Sequence, residues 1–112
     1  MSIVRKALWF IESHFTQPIT LADVATAVDV SPFHLSRLFQ VATGTSLVRY
    51  LRGRRLTEAA HVLARGADDI LDIALTAGYS SHAAFTRAFR EQVGSTPQQV
   101  RRNRVVNATL VE

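Results

Sequence analysis

Two short segments of this 112-residue chain place an arginine at a matched position among large apolar side chains. Residues 33–39 read FHLSRLF and residues 84–89 read AFTRAF, so Arg37 and Arg87 occupy equivalent places. A guanidinium group can form paired hydrogen bonds with a guanine edge or with a phosphate. One surface arginine is usually only solvated, but the repetition indicates that both segments contact a nucleic acid.

Each arginine lies on the polar side of a predicted amphipathic helix. At about 100° per residue, the apolar sides are predicted to join the core and contain Leu35, Leu38, Phe39 and Ala42, and Phe85, Ala88 and Phe89. The outward sides carry Phe33, Ser36, Arg37 and Gln40 in the first helix, and His82, Ala83, Thr86, Arg87 and Arg90 in the second. Arginine, glutamine, hydroxyl and aromatic side chains are those that contact base edges. We therefore predict that these nine residues bind nucleic acid.

The two outward faces differ in their capacity for hydrogen bonding. Ala83 and Ala84 leave the first turn of the second helix flat, which permits a close approach to a groove. Few groups there can hydrogen-bond to bases. We expect the second helix to depend more on shape and phosphate than on sequence.

A shorter helix precedes each of these helices, which makes the pair an internal repeat. Residues 21–31 read LADVATAVDVS and residues 71–80 read LDIALTAGYS; the alignment equates Ser31 with Ser80. The offset between the copies rises from 49 to 50 at the turn, which indicates one inserted residue. A short helix, a tight turn and a longer helix form the helix-turn-helix pattern, although an ordinary helical hairpin looks similar. The first turn has Asp29 at the position that Gly78 occupies in the second turn. Aspartate tolerates the left-handed region better than most residues.

Capping signals predict an all-α chain of seven helices. They cover about residues 2–15, 20–28, 32–43, 46–65, 69–77, 81–93 and 97–103. Trp9 is predicted to pack in the first helix or to contact a further domain. The segment 104–112 has β-like composition and is predicted to be a loose terminus or the start of a further domain.

The composition favours a polyanion as partner and argues against several functional classes. The chain has 13 basic and 9 acidic residues, and all but one of the basic residues are arginines. It has no cysteine, which excludes disulfides and thiolate metal sites and fits the cytoplasm. No catalytic motif, metal-binding pattern, cofactor motif, secretory signal or membrane span is evident. We therefore expect neither an enzyme nor a metal or cofactor.

Residues 72–101, DIALTAGYSSHAAFTRAFREQVGSTPQQVR, resemble the C-terminal signature of the AraC/XylS family of bacterial transcription regulators. The shared features are an Ile-Ala pair, Gly-aromatic-Ser at the turn, Phe-x-Arg-x-Phe and Gly-x-Thr-Pro. Residues 21–51 resemble the first motif of the family, and the resemblance extends over residues 7–103.

The resemblance implies two helix-turn-helix subdomains, residues 21–44 and 70–94, joined by a linker helix over residues 46–65 within one DNA-binding domain, residues 7–103. It also implies regulation, as an activator, of promoters on double-stranded DNA, with RNA polymerase as a further partner. The base-reading positions fall on Phe33, Ser36 and Arg37, and on His82, Ala83, Thr86 and Arg87. A linker helix of about 20 residues is about 30 Å long, close to the roughly 34 Å between successive major-groove segments. A monomer is therefore expected to read two adjacent segments.

An alternative is a protein-interaction module in which the exposed arginines dock on an acidic partner, such as an RNA polymerase subunit. That module would bind protein in a salt-sensitive way without a preference for DNA sequence. The two functions are compatible in one chain.

Overall fold

The computed structural model describes residues 2–66 and 69–104, and these residues form seven α-helices without a strand. The helices are α1 (Ile3–His14), α2 (Leu21–Ala27), α3 (Pro32–Thr43), α4 (Leu47–Ala64), α5 (Ile70–Thr76), α6 (His82–Val93) and α7 (Pro97–Asn103). The all-α prediction is confirmed for this part of the chain. The part of the β-like segment that follows Arg104 lies outside the described residues.

Short polar side chains begin the helices where the sequence predicts them. Thr20 and Asp23 form a reciprocal capping box: the N–H of Asp23 donates to Thr20 Oγ1 at 3.3 Å, and the N–H of Thr20 donates to Asp23 Oδ2 at 2.8 Å. Thr96 and Gln99 repeat this arrangement at the start of α7. An N-cap contributes about 1 kcal/mol, so these local signals hold the helix boundaries firmly.

The chain divides into two compact units, and the boundary falls between Arg52 and Gly53 within α4. The core of the first unit is formed by α1, α2, α3 and the first turns of α4. Its buried residues are Ala7, Ile11, Val24, Ala25, Val28, Leu35, Phe39, Leu47 and Leu51. The Phe39 ring meets Tyr50 edge-on at 5.7 Å between centroids.

Two predictions about the first core are wrong. Ala42 is exposed, because it lies in the last turn of α3, past Phe39, the last buried residue of that helix. Trp9 is 66% exposed and does not pack inside its unit, whereas its alternative contact with a further domain stays a prediction. The buried positions of α1 are Ala7 and Ile11, on the opposite side from Trp9.

The second unit has a core of its own, formed by the rest of α4 and by α5, α6 and α7. Its buried residues are Leu56, Ala59, Ala60, Leu63, Ile70, Ala74, Ala77, Phe85, Phe89, Val93 and Val100. The amide of Gln92 donates to the carbonyl oxygen of Gly53 at 2.9 Å and to Thr57 Oγ1 at 3.2 Å. These bonds tie α6 to α4 and satisfy the hydroxyl of buried Thr57.

Candidate nucleic-acid interface

Both candidate reading helices follow turns of the same geometry. In the first turn, the N–H of Val30 donates to the carbonyl oxygen of Ala25 at 3.1 Å; in the second, the N–H of Tyr79 donates to that of Ala74 at 3.0 Å. The residue between helices adopts a positive φ in each case, 60° at Asp29 and 96° at Gly78. This bonding pattern ends a helix by a left-handed residue. The first turn therefore keeps its shape with aspartate in place of glycine, as expected.

A serine N-cap then sets the start of each reading helix. Ser31 accepts a hydrogen bond from the N–H of His34, and Ser81 accepts one from the N–H of Ala84, both at 3.1 Å. Ser81 is thus the structural counterpart of Ser31, which corrects the alignment of Ser31 with Ser80. The inserted residue lies before this cap, so α3 and α6 keep a constant offset of 50 along their whole length.

The outward face of α3 holds the four predicted contact residues of the first unit. Phe33, Arg37 and Gln40 are exposed, and Ser36 is half-buried. The side chain of Phe33 is 72% exposed, and the guanidinium carbon of Arg37 lies 5.8 Å from the centroid of its ring. Such a distance is typical of a cation–π contact. The arginine and the aromatic ring therefore form one surface rather than two separate groups.

The outward face of α6 brings together the five predicted contact residues of the second unit. An open concavity on this helix is lined by His82, Ala83, Thr86, Arg87, Arg90 and Glu91. Thr86 is half-buried and its Oγ1 lies 3.4 Å from Nδ1 of His82, a long hydrogen bond. The other predicted residues are exposed.

Glu91 also belongs to this surface, although it is not among the predicted contact residues. It follows Arg87 by four residues, a spacing that places both on one helix face. The corresponding residue of α3 is Val41, whose side chain is 85% exposed. The sequence contained the necessary signal, because the same offset that relates Arg37 to Arg87 relates Val41 to Glu91.

A further arginine lies beside the turn before α6. A Cβ atom on Gly78 would be 3.6 Å from Nη1 of Arg55 in α4, an ordinary van der Waals distance. Desolvation by burial lowers the pKa of Arg55, and the nearby Tyr79 opposes this effect. An arginine remains charged despite such a shift. The contact joins residues more than 20 positions apart, so no local pattern predicted it.

The described residues contain neither a cluster of three or more potential metal ligands nor a helix that is long and apolar enough to cross a membrane. The candidate interface consists of two helix faces, one on each unit, built mainly from polar, aromatic and arginine side chains, with Glu91 as an acidic member of the second face. Such groups suit hydrogen bonding to base edges and charge neutralisation of phosphates.

The helix-turn-helix domain family matches residues 24–103. The right origin-binding protein of Escherichia coli strain K12 is 42% identical over 101 residues, which are 90% of this chain and 35% of that protein. The chain thus spans little more than a third of this relative. Regulatory protein SoxS of the same strain is 36% identical over 99 residues, covering 88% of this chain and 92% of that protein. The crystal structure of a transcriptional regulator of the AraC-type DNA-binding class from Chromobacterium violaceum has a TM-score of 0.83 at 30% identity and covers 92% of each chain.

Proposed function

Since this chain belongs to the AraC/XylS family of helix-turn-helix transcription regulators, we propose that it binds double-stranded promoter DNA with sequence preference and so regulates transcription. The observation that carries the proposal is the matched exposure of Arg37 and Arg87. Each is exposed on the second helix of its helix-turn-helix pair, after a turn and a serine cap of the same geometry.

In the proposed complex, α3 and α6 enter adjacent segments of the major groove. Arg37 and Arg87 each form a bidentate pair with a guanine, and Gln40 reads adenine or contacts the backbone. Arg90 neutralises a phosphate, and its contribution falls as salt rises. The two reading helices belong to one chain, within residues 7–103. A monomer is therefore sufficient for a site of this kind, whereas repressors with a single helix-turn-helix motif bind such a site as dimers.

The two helices are proposed to contribute unequally to sequence preference. In α3, the polar groups of Ser36, Arg37 and Gln40 accompany an aromatic ring. In α6, the position that corresponds to Phe33 is Ala83, and Ala84 follows it, so two neighbouring residues of the first turn have no hydrogen-bonding side chain. The half-site under α3 should therefore be the more sharply defined one, whereas the half-site under α6 should depend more on groove shape.

Selection of binding sites from random duplex DNA tests this function. The wild-type chain should enrich a bipartite site with half-sites about one helical turn apart. Arg37→Ala should weaken binding by about 1–3 kcal/mol and flatten one base-pair preference, and Arg87→Ala should flatten another base pair in the second half-site.

Arg65→Ala is the matched control, because Arg65 is an exposed arginine that belongs to neither reading helix. Its Nη2 atom lies 3.8 Å from Oε2 of Glu58. It should lower affinity little and leave every base preference intact. Wild-type protein that enriches no sequence would contradict the proposed function. Two half-sites of equal information would contradict only the inequality of the two readers.

We also propose that the protein acts in the bacterial cytoplasm and, as an activator, contacts RNA polymerase while it is bound to its promoter. The exposed apolar side chains Leu71 and Leu75 of α5 support a protein contact outside the two reading faces. Transcription from a selected site with purified polymerase tests the effect on activity. Activation that persists in Leu71→Ser/Leu75→Ser would exclude this surface.

A further inference from the structure

We propose that Phe33 is a positioning residue for Arg37: its ring holds the guanidinium in the orientation in which it reads one base pair. This inference rests on the proposed function, and it assigns to the ring a part in specificity that does not require the ring to touch a base.

The geometry of α3 supports this role. Phe33 and Arg37 are four residues apart, so their side chains share a helix face. Long helical side chains lean toward the N-terminus of their helix, which directs the arginine over the residue four positions before it. The guanidinium carbon of Arg37 indeed lies 5.8 Å from the Phe33 centroid, within the range of a cation–π contact.

A held guanidinium has a specific advantage at a solvent-exposed site. A free arginine side chain samples many rotamers and loses that freedom when it forms a bidentate pair. Contact with the ring restricts Arg37 before DNA arrives, while the planar donors remain available for a guanine edge. The ring itself has little other structural use, because 72% of the Phe33 side chain is exposed.

The second unit provides a natural comparison for this arrangement. The position that corresponds to Phe33 is Ala83, and alanine offers Arg87 no ring at the same spacing. The residue one turn beyond Arg87 is the acidic Glu91. Positioning by an aromatic ring is therefore a property of α3, and it gives a physical cause for the sharper half-site proposed there.

A direct contact between Phe33 and a thymine methyl is the competing role, and it makes a different prediction. If Phe33 only contacts a methyl group, its replacement changes preference at that thymine and leaves the arginine-dependent base pair unchanged. If Phe33 positions Arg37, its replacement lowers discrimination at the base pair that Arg37→Ala flattens.

The test uses Phe33→Leu, which keeps apolar bulk without a ring, and Phe33→Tyr, which keeps the ring. Equilibrium binding is measured for the selected site and for its three substitutions at the base pair that depends on Arg37. Phe33→Leu should reduce discrimination there by about two- to fivefold, and Phe33→Tyr should restore it. In the Arg37→Ala background, Phe33→Leu should cause no further loss at that base pair.

A second measurement requires no DNA. The side-chain protons of Arg37 should show an upfield ring-current shift in the NMR spectrum of the wild-type protein and of Phe33→Tyr, but not of Phe33→Leu. Thermal unfolding of both variants should match the wild type, because the ring is exposed.

The outcomes separate this inference from the proposed function. A wild-type chain without sequence preference would overturn the proposed function and this inference together. A clear wild-type preference with unchanged discrimination in Phe33→Leu, or with no ring-current shift at Arg37, would overturn the positioning role alone.

Discussion

The two helix-turn-helix units differ far more in their outward faces than in the scaffold beneath. The pairs α2–α3 and α5–α6 have the same helix lengths and the same hydrogen-bonding pattern in the turn, and a serine caps the second helix of each pair. On the surface, Arg37 has Phe33 and Val41 one turn to either side, whereas Arg87 has Ala83 and Glu91. The buried positions also differ in places, since Phe85 stands where the first copy has Leu35, but both residues are apolar and completely buried.

The repeat distinguishes positions that pack in a core from positions that face solvent. Phe39 and Phe89 correspond in the repeat, and both are completely buried. Buried positions are restricted to apolar side chains that fill the core, although their size can change, as from Leu35 to Phe85. Exposed positions such as 33 and 41 are free of that restraint, so their side chains can differ more widely between the units.

The largest expected effect tests whether the two cores are equivalent. Phe39→Ala and Phe89→Ala should each lower the free energy of unfolding by about 3–5 kcal/mol, as measured by urea denaturation. Because each ring packs inside its own unit, amide NMR signals should be lost first in the unit that carries the substitution. Val41→Ala is the control and should change stability by less than about 0.5 kcal/mol. Equal signal loss throughout both units would show that the cores unfold as one.

A stability effect of intermediate size tests whether the two turns are equivalent. Gly78→Ala should cost about 1–2 kcal/mol in stability, because φ is 96° there and an alanine side chain disfavours that region. The cause is strain rather than collision, since the nearest atom to an added Cβ would be 3.6 Å away. Gly78→Asp should cost less, as Asp29 occupies the equivalent place. Thermal unfolding checks the order, and an aspartate variant less stable than the alanine variant would refute the equivalence of the turns.

The smallest effect concerns charge beside the two arginines. Glu91→Gln should tighten DNA binding by about twofold at low salt, and Val41→Glu should weaken it by a similar factor, since exposed charge contacts are weak. Both effects should fade as salt rises toward 1 M, where the screening length is about 3 Å. Fluorescence anisotropy across a salt series measures this. Glu58→Gln, on the linker helix, is the control; an effect as large as that of Glu91→Gln would indicate a general charge effect.

Much of the local structure could be predicted from the sequence, because local groups determine it. Ser31, Thr20 and Thr96 cap helices through bonds to residues three positions away, so the pattern and the structure coincide. Gly44 and Gly94 end α3 and α6 in the left-handed conformation for the same reason. No predicted helix end differs from the observed one by more than one residue, and α4, for example, has 18 residues rather than about 20.

Burial of individual residues is predicted less well than the helix boundaries. Ala42 falls on the same side of the wheel as Leu35 and Phe39, yet it is exposed. Periodicity predicts which side of a helix faces the core, but it does not show how far along the helix the core extends. Trp9 is a second residue of this kind, because it is mostly exposed although packing is one of its two predicted roles.

The sequence by itself determined the seven helices, the duplicated helix-turn-helix unit and the paired outward arginines, because short-range capping, turn chemistry and helical period set them. The tertiary structure decided how far burial extends along each helix and that Arg55 lies beside the turn at Gly78, and the side-chain rotamers decided that the Arg37 guanidinium lies over the Phe33 ring. These features depend on distances between side chains in space. Spacing along the chain restricts such distances, but packing and rotamers fix them.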